Sequence, residues 1–322
     1  MLSVSRLPES LNVAVLVSAC GFERRCTHVA SSIQYKRGIA VPFLEHRGSK
    51  ARRENDADFR ARGFRMERPR SANDSEALVE VLIESLSAGI VTVDVSSMPR
   101  VWYCGAMRAL ARRGASGTVY FLYAPGKWSV HHGAPTGNRV VEPVPGFVAS
   151  ASEYKPAALV LGLGTEPDRA LGLREHIDPP LLGIFAPQAE VPGEYESSML
   201  ARIGELRQFV LPEHEVRYPV SDPYYSYVLL ESMVAGLQRD WYVVLASLGP
   251  KIFGVCSALV ALVHPTNTSL WRVAYAASPD RQIVPDGSIV GLATAWWHQS
   301  GNEILASFAA GPRPRRGLFD CL

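Results

Sequence analysis

The segment Val91–Arg113, VTVDVSSMPRVWYCGAMRALARR, decides how the rest of the chain is read. It opens on alternate valines (Val91, Val93, Val95), passes through Asp94-Val95-Ser96-Ser97, and turns at Met98-Pro99. Beyond the proline, Val101, Cys104, Met107 and Ala111 recur on one side of a helical pattern, with Arg108, Arg112 and Arg113 on another. Proline suits a first helical position because its missing N–H would be unpaired there anyway. The stretch therefore predicts a strand that delivers an acid, two hydroxyls and Arg100 to the mouth of a helix. Free N–H groups and the positive end of the helix dipole suit such a mouth to a phosphate or another anion. Ligands of open α/β sheets bind outside the carboxyl ends of the strands. An ordinary strand-to-helix turn, with Ser97 as its N-cap, accounts for the same residues without a ligand.

On the N-terminal side, Asn12–Ser18 (NVAVLVS) predicts a buried parallel strand, and Glu23–Lys36 a helix after the Ala19-Cys20-Gly21 break. Ile39–Leu44 and Phe64–Glu67 predict strands. Arg47–Arg62 predicts a loop and an exposed helical piece, and Asp74–Leu86 a helix capped by Asn73 or Asp74. Thr118–Tyr123 is a further strand, and 124–145 a loop rich in Gly, Pro and His with a short strand at Arg139–Glu142. Past a boundary near Pro145–Lys155 the pattern restarts. Strands are expected at Ala157–Leu163, Leu181–Phe185, Trp241–Ala246 and Trp271–Ala276. Helices are expected at Pro167–His176, Glu194–Phe209, Pro223–Leu237 and Ile252–Val263. Alternating short strands and helices imply an α/β fold with mainly parallel sheets.

The chain has 322 residues, 47% of them apolar and 20% charged, with a net charge of +2. This fits a globular protein of two ordinary domains or one large one, and gives no basic tail or arginine stripe for nucleic acid. Five cysteines without C-x-x-C spacing argue against a disulfide framework or a structural zinc site, so a cytoplasmic setting is expected. The apolar run Leu11–Cys20 is too short to span a bilayer and lacks the basic leader of a signal peptide. His131-His132 has no third ligand nearby, and no metal or cofactor is expected.

The two halves echo each other. VSACGFERR (Val17–Arg25) parallels LGLGTEPDR (Leu161–Arg169), and VDVSSMPR (Val93–Arg100) parallels LASLGPK (Leu245–Lys251). An aromatic-rich strand follows each of the latter. Two Rossmann-like units, alike by internal duplication or by convergence, are therefore expected, at 1–145 and 156–276, with a 277–322 extension packed on the second. Coincidence is the competing account, since every strand-to-helix turn favours Gly, Ser and Pro. The matching turns offer Gly21, Arg24, Arg25, Ser96, Ser97 and Arg100 from the first unit. The second offers Thr165, Arg169, Ser247, Gly249 and Lys251. Arginine forks bind phosphate or carboxylate in bidentate fashion, and lysine adds a point charge.

No phosphate loop, H-E-x-x-H or G-x-S-x-G motif is present, and Gly162-Leu163-Gly164 lacks the third glycine of a dinucleotide fingerprint, having Pro167 there. Glu23, Asp94 and Glu166 stand at strand ends, where each is a general base, a ribose ligand or simply a helix-dipole partner. The turn Asp94-Val95-Ser96-Ser97-Met98-Pro99-Arg100 resembles the ligand-binding turn of CRISPR-associated Rossmann-fold (CARF) domains, sensors of cyclic oligonucleotides in bacterial antiviral defence. The resemblance covers Asn12–Tyr123, departs from the usual small-residue pair at Ser97-Met98, and comes without a convincing downstream nuclease motif. It implies a nucleotide-like ligand sensed together with a protein partner or a second copy of the chain. Two other readings stay open: an enzyme of nucleotide metabolism, a glycosidic-bond hydrolase or phosphoribosyl transferase using Glu23 or Asp94, and a scaffold without ligand.

Overall fold

The computed structural model describes residues 1–68, 75–127, 138, 140–150, 154–164, 169–188, 194–274 and 283–297. In chain order the first part runs β1 (Leu2–Arg6), β2 (Val13–Cys20), a 3-10 turn at Arg24–Thr27, α1 (His28–Ser32), β3 (Tyr35–Pro42) and α2 (Lys50–Ala61). It continues with β4 (Arg65–Met66), α3 (Glu76–Leu86), β5 (Val91–Asp94), α4 (Arg100–Arg112) and β6 (Gly117–Tyr123). After β7 (Val140–Pro143) come β8 (Ala157–Gly162), α5 (Arg169–Ile177), β9 (Leu181–Gln188), α6 (Glu194–Leu206) and β10 (Val210–Pro219). The chain then forms α7 (Pro223–Leu237), β11 (Tyr242–Ser247), α8 (Lys251–Val263), β12 (Thr268–Ala274) and β13 (Val290–Trp296).

Two sheets result, in the orders β1-β13-β6-β5-β2-β3-β4 and β10-β9-β8-β11-β12-β7. The parallel part of each has the same doubly wound order. Strands β4-β3-β2-β5-β6 correspond one by one to β10-β9-β8-β11-β12, and helices α1 to α4 to α5 to α8. The central strands β2, β5, β8 and β11 are buried along almost their whole length, which is why they read as continuous apolar runs. The edge strands β1, β4, β7 and β10 are largely exposed or half-buried.

The layers follow from which residues share a core. One apolar cluster joins α3, α4, α7 and α8 to facing sides of both sheets. A second packs α5 and α6 on the outer face of the second sheet, and a third packs α1 and α2 on the outer face of the first. Helix α8 occupies the middle, with every residue from Ile252 to Ala261 buried. A helix apolar all round has to be enclosed on all sides.

Sheet membership departs from the expected division in two places. Strand β7, expected with the first unit, pairs antiparallel with β12 of the second sheet. Strand β13, expected to pack on the second unit, lies between β6 and β1 in the first sheet. Each unit thus ends by lending its edge strand to the other. The backbone donors and acceptors of β6 and β12 leave an unfilled ladder, and an antiparallel strand arriving from the other unit completes it.

Other departures are local. The helix expected at Glu23–Lys36 is shortened to the 3-10 turn and α1, because Tyr35 already belongs to β3. Helix α2 is not merely exposed: Arg52, Asn55 and Phe59 are buried on one face. Strands β1, β10 and β13 carry no strand pattern in the sequence. The first is short, the second carries two prolines and alternating charges, and the third is built largely of small residues. Ser97 does not cap α4, whose N-cap is Pro99. The Asn73 and Asp74 caps, His131, His132, Glu166 and Thr165 lie outside the described residues.

The prolines of the two turns share one backbone conformation. Pro99 has φ −60° and ψ 140°, Pro250 has φ −51° and ψ 138°, and each precedes a helix of 13 residues. Behind the second turn, a Cβ on Gly249 would meet the Leu163 carbonyl oxygen, and one on Gly164 the Leu248 carbonyl. Backbone cannot swing aside as a side-chain tip can, so Gly249→Ala should cost about 1–3 kcal/mol through overpacking. In α7 an added Cβ at Gly236 meets nothing within 4 Å, so Gly236→Ala should gain about 0.5–1 kcal/mol. Urea unfolding midpoints moving in opposite directions for the two variants would check both statements.

A charged cluster at the mouths of two helices

In the first sheet the strand order reverses between β2 and β5, the position where doubly wound sheets open a crevice. At that opening β2 runs into Gly21 and Glu23, and β5 into Asp94, Ser96 and Ser97. Arg25 is buried, donating from Nε to Glu23 Oε2 at 2.8 Å and from Nη1 to Tyr123 Oη at 3.1 Å and the Ala124 carbonyl at 3.5 Å. Ser97 Oγ donates to the same Glu23 oxygen at 3.3 Å. Helix α2 supports the loop from outside, because Asn55 Nδ2 donates to the carbonyls of Gly21 at 2.9 Å and Glu23 at 3.1 Å.

Asp94 is wholly enclosed. The Ser96 N–H donates to its Oδ1 at 2.9 Å and Ser18 Oγ to its Oδ2 at 3.5 Å. Ser96 Oγ in turn accepts from the Ala124 N–H at 2.8 Å, joining the ends of β5 and β6. The second unit reaches this place through the packing of α4 against α8. A Cβ on Gly254 would meet the Tyr103 hydroxyl, so glycine is what lets the helices approach so closely. Across the contact Arg100 Nη2 donates to the Gly249 carbonyl at 2.9 Å, and Tyr103 Oη to the Lys251 carbonyl at 3.4 Å. Lys251 is half-buried as a residue, and its ammonium, surrounded by protein, acts on Glu23, Arg25, Arg100 and Asp94.

Three cations and two acids therefore share one partly dry space, and their protonation follows from it. Burial pushes Glu23 upward, but Lys251, Arg25 and the bonds from Arg25 and Ser97 outweigh it and hold the carboxyl below its usual range. Burial lifts Asp94 to about 6 against the opposing hydrogen bonds of Ser96 and the pull of Arg25 and Lys251. Burial drives Lys251 down to about 7; Glu23 and Asp94 draw it back, while Arg25 and Arg100 repel it. Glu23 is thus a fixed anion, while Lys251 sits near its titration point.

Of the residues singled out in sequence, Gly21, Glu23, Arg25, Asp94, Ser96, Ser97, Arg100, Gly249 and Lys251 surround this locus. Ser247 closes β11 beside it, with an Oγ that is buried and without a hydrogen-bond partner among the described residues. Arg24 is exposed, and Arg169 is buried at the head of α5, where Asn138 Nδ2 bonds its carbonyl at 3.4 Å. Asn55 and Ser18 join the site without having been marked out by the sequence pattern. The spacing of Arg52, Asn55 and Phe59 on one helical face was the available signal for Asn55, obscured by the many charges around it.

No family model matches the chain, and neither does any curated protein sequence. Among solved structures, a universal stress protein from Archaeoglobus fulgidus DSM 4304 aligns at 9% identity over 82% of this chain and 97% of its own, with a TM-score of 0.24. Haemonchus contortus phosphoethanolamine N-methyltransferase 1, in complex with phosphoethanolamine and S-adenosylhomocysteine, aligns at 8% identity over 90% and 89%, also with a TM-score of 0.24. Such values carry no argument about the site, and the α/β architecture rests on the strand order described above. Among the described residues no helix is long and apolar enough to cross a membrane, and no group of His, Cys, Asp and Glu could hold a metal ion.

The shifted lysine has a thermodynamic signature. An unfolded lysine titrates near 10.4, so between pH 7 and about 10 the unfolded chain binds the extra proton, and Lys251 makes stability rise with pH. Asp94 acts oppositely: from about pH 4 to 6 the folded chain holds the extra proton, and stability falls. Lys251→Met should therefore flatten the alkaline rise. Melting temperatures of the variant minus wild type should be more positive at pH 6 than at pH 9, and a difference independent of pH would contradict the burial of the ammonium.

Proposed function

We propose that the chain binds a phosphorylated, nucleotide-like small molecule where the N-termini of α4 and α8 converge. The observation that carries this reading is the position of Lys251: a cation from the second unit stands among Arg25, Arg100 and the acids of the first. Two helix mouths with free N–H groups and three cations suit a polyanion bridging both units. Glu23, held ionised, suits sugar hydroxyls, which donate to a carboxylate. The resemblance of Asp94–Arg100 to the CARF turn supports a sensor of cyclic oligonucleotides in antiviral defence, passing its state to a partner protein or a second copy.

A second reading, an enzyme of nucleotide metabolism, is favoured by the pairing of ionised Glu23 with a lysine titrating near neutrality. Asp94 is a poor candidate for that chemistry, because both its oxygens are engaged in a closed space.

Isothermal titration with ATP, ADP and cyclic oligoadenylates tests the proposal. Lys251→Ala should weaken binding about ten- to a hundredfold, the loss of one charge-assisted contact worth roughly 1.5–3 kcal/mol. Arg100→Ala should weaken it comparably and lower the melting temperature as well, because its bond to the Gly249 carbonyl joins the two units. Absence of binding, or binding indifferent to Lys251→Ala, overturns the reading. Conversion of the nucleotide, abolished by Glu23→Gln, would select the enzyme instead.

A further inference from the structure

Where the charged cluster borders the second unit, two polar atoms lie buried without hydrogen-bond partners among the described residues: Tyr218 Oη and Arg100 Nε. Tyr218 is fully buried near the carboxyl end of β10, the end from which the loops of its parallel sheet face the ligand side. Its ring stacks on Phe253 with centroids 4.8 Å apart at 24°, and Phe253 lies 5.4 Å from Phe185. A Cβ on Gly162 would strike the Phe253 ring, so that glycine keeps the stack in place against β8. With its ring covered, Tyr218 has only the hydroxyl to offer. Burial drives that hydroxyl far above its usual range; Tyr195, Cys256 and Tyr123 add to the effect, and the Arg100 cation opposes it. The two orphaned groups flank consecutive residues of α8: the Tyr218 ring stacks on Phe253, and Arg100 Nε lies 3.6 Å from where a Cβ on Gly254 would stand, while Arg100 Nη2 is committed to Gly249.

A buried donor left unpaired costs its whole desolvation penalty, so two together need an account. Resting on the nucleotide reading above, we propose that Tyr218 Oη and Arg100 Nε form a hydrogen-bonding subsite for the uncharged acceptor edge of a nucleobase. Arg100 Nε–H can only donate, and a tyrosine hydroxyl can donate too, which fits the ring nitrogens and carbonyls of a base. The surroundings, Tyr103, Phe185 and Phe253, are aromatic and dry, and desolvation there costs a neutral acceptor far less than a second phosphate. Phosphates would be held by Arg25 and Lys251, and the base would lie toward the second unit.

Tyr218→Phe removes one oxygen and keeps the stack, so it tests the assignment without emptying the core. Titrations would use ATP and cyclic triadenylate as nucleotides and inorganic triphosphate as the probe without a base. The expected result is a loss of about tenfold for the tighter nucleotide, unchanged triphosphate binding and an unfolding temperature that is not lowered. Equal affinities for the nucleotide in variant and wild type overturn the subsite and leave a bridging water as the partner of both atoms. Equal losses for nucleotide and triphosphate also overturn it, since the hydroxyl would then serve the anion. If neither nucleotide binds wild type, the nucleotide reading itself fails. Binding that depends on Lys251 but not on Tyr218 fails the subsite alone.

Discussion

Helix α8 has no face for water, and the architecture answers that constraint. Ten consecutive residues, Ile252 to Ala261, are buried, so the helix needs apolar partners around its whole circumference. One sheet can cover only one side. Strands β11 and β12 and helix α7 of its own unit cover part of α8, and α4 and β6 of the first unit cover the rest. The two units therefore share one core, and each also completes the other's sheet through β7 and β13. At roughly 25 cal/mol per Å² of apolar surface, separating them would expose what α4 and α8 bury against each other, the fully buried Tyr103 included, at a cost of several kcal/mol.

The same enclosure sets the chemistry of the cluster. Because α8 must lie deep against α4, its first residue, Lys251, enters the space around Glu23 and Asp94 and is left only half-exposed. Charges in such a place are costly unless paired and hydrogen-bonded. The chain manages this unevenly: Arg25 and Glu23 are paired directly, Asp94 is held by Ser96 and Ser18, and Lys251 retains only a weakened hold on its proton.

The two units have matching scaffolds but unlike turns. Leu245 and Leu248 stand where the first unit has Asp94 and Ser97, so the aspartate and the hydroxyl that bonds Glu23 belong to the first turn only, while each side keeps a serine before its proline and a cation after it. An asymmetric cluster built on a repeated frame suits a ligand whose two ends differ chemically, one anionic and one polar but uncharged.

The sequence by itself determined the alternation of strands and helices, the four central strands and the two proline turns, because each rests on local patterns: runs of β-branched residues, helical periodicity and fixed backbone angles. It also placed Glu23, Asp94, Ser97, Arg100 and Lys251 at strand-to-helix turns. Tertiary structure alone decided that these turns meet, since the closeness of α4 and α8 depends on Gly254 lying opposite Tyr103, a pairing no local pattern encodes. It likewise decided the exchange of β7 and β13 and the burial of Asn55 beneath a charged helix. A strand's neighbour is chosen by which ladder of backbone groups remains unfilled, and the protonation of Lys251 by how much water its surroundings exclude. Both are properties of the assembled core, to which distant segments contribute together.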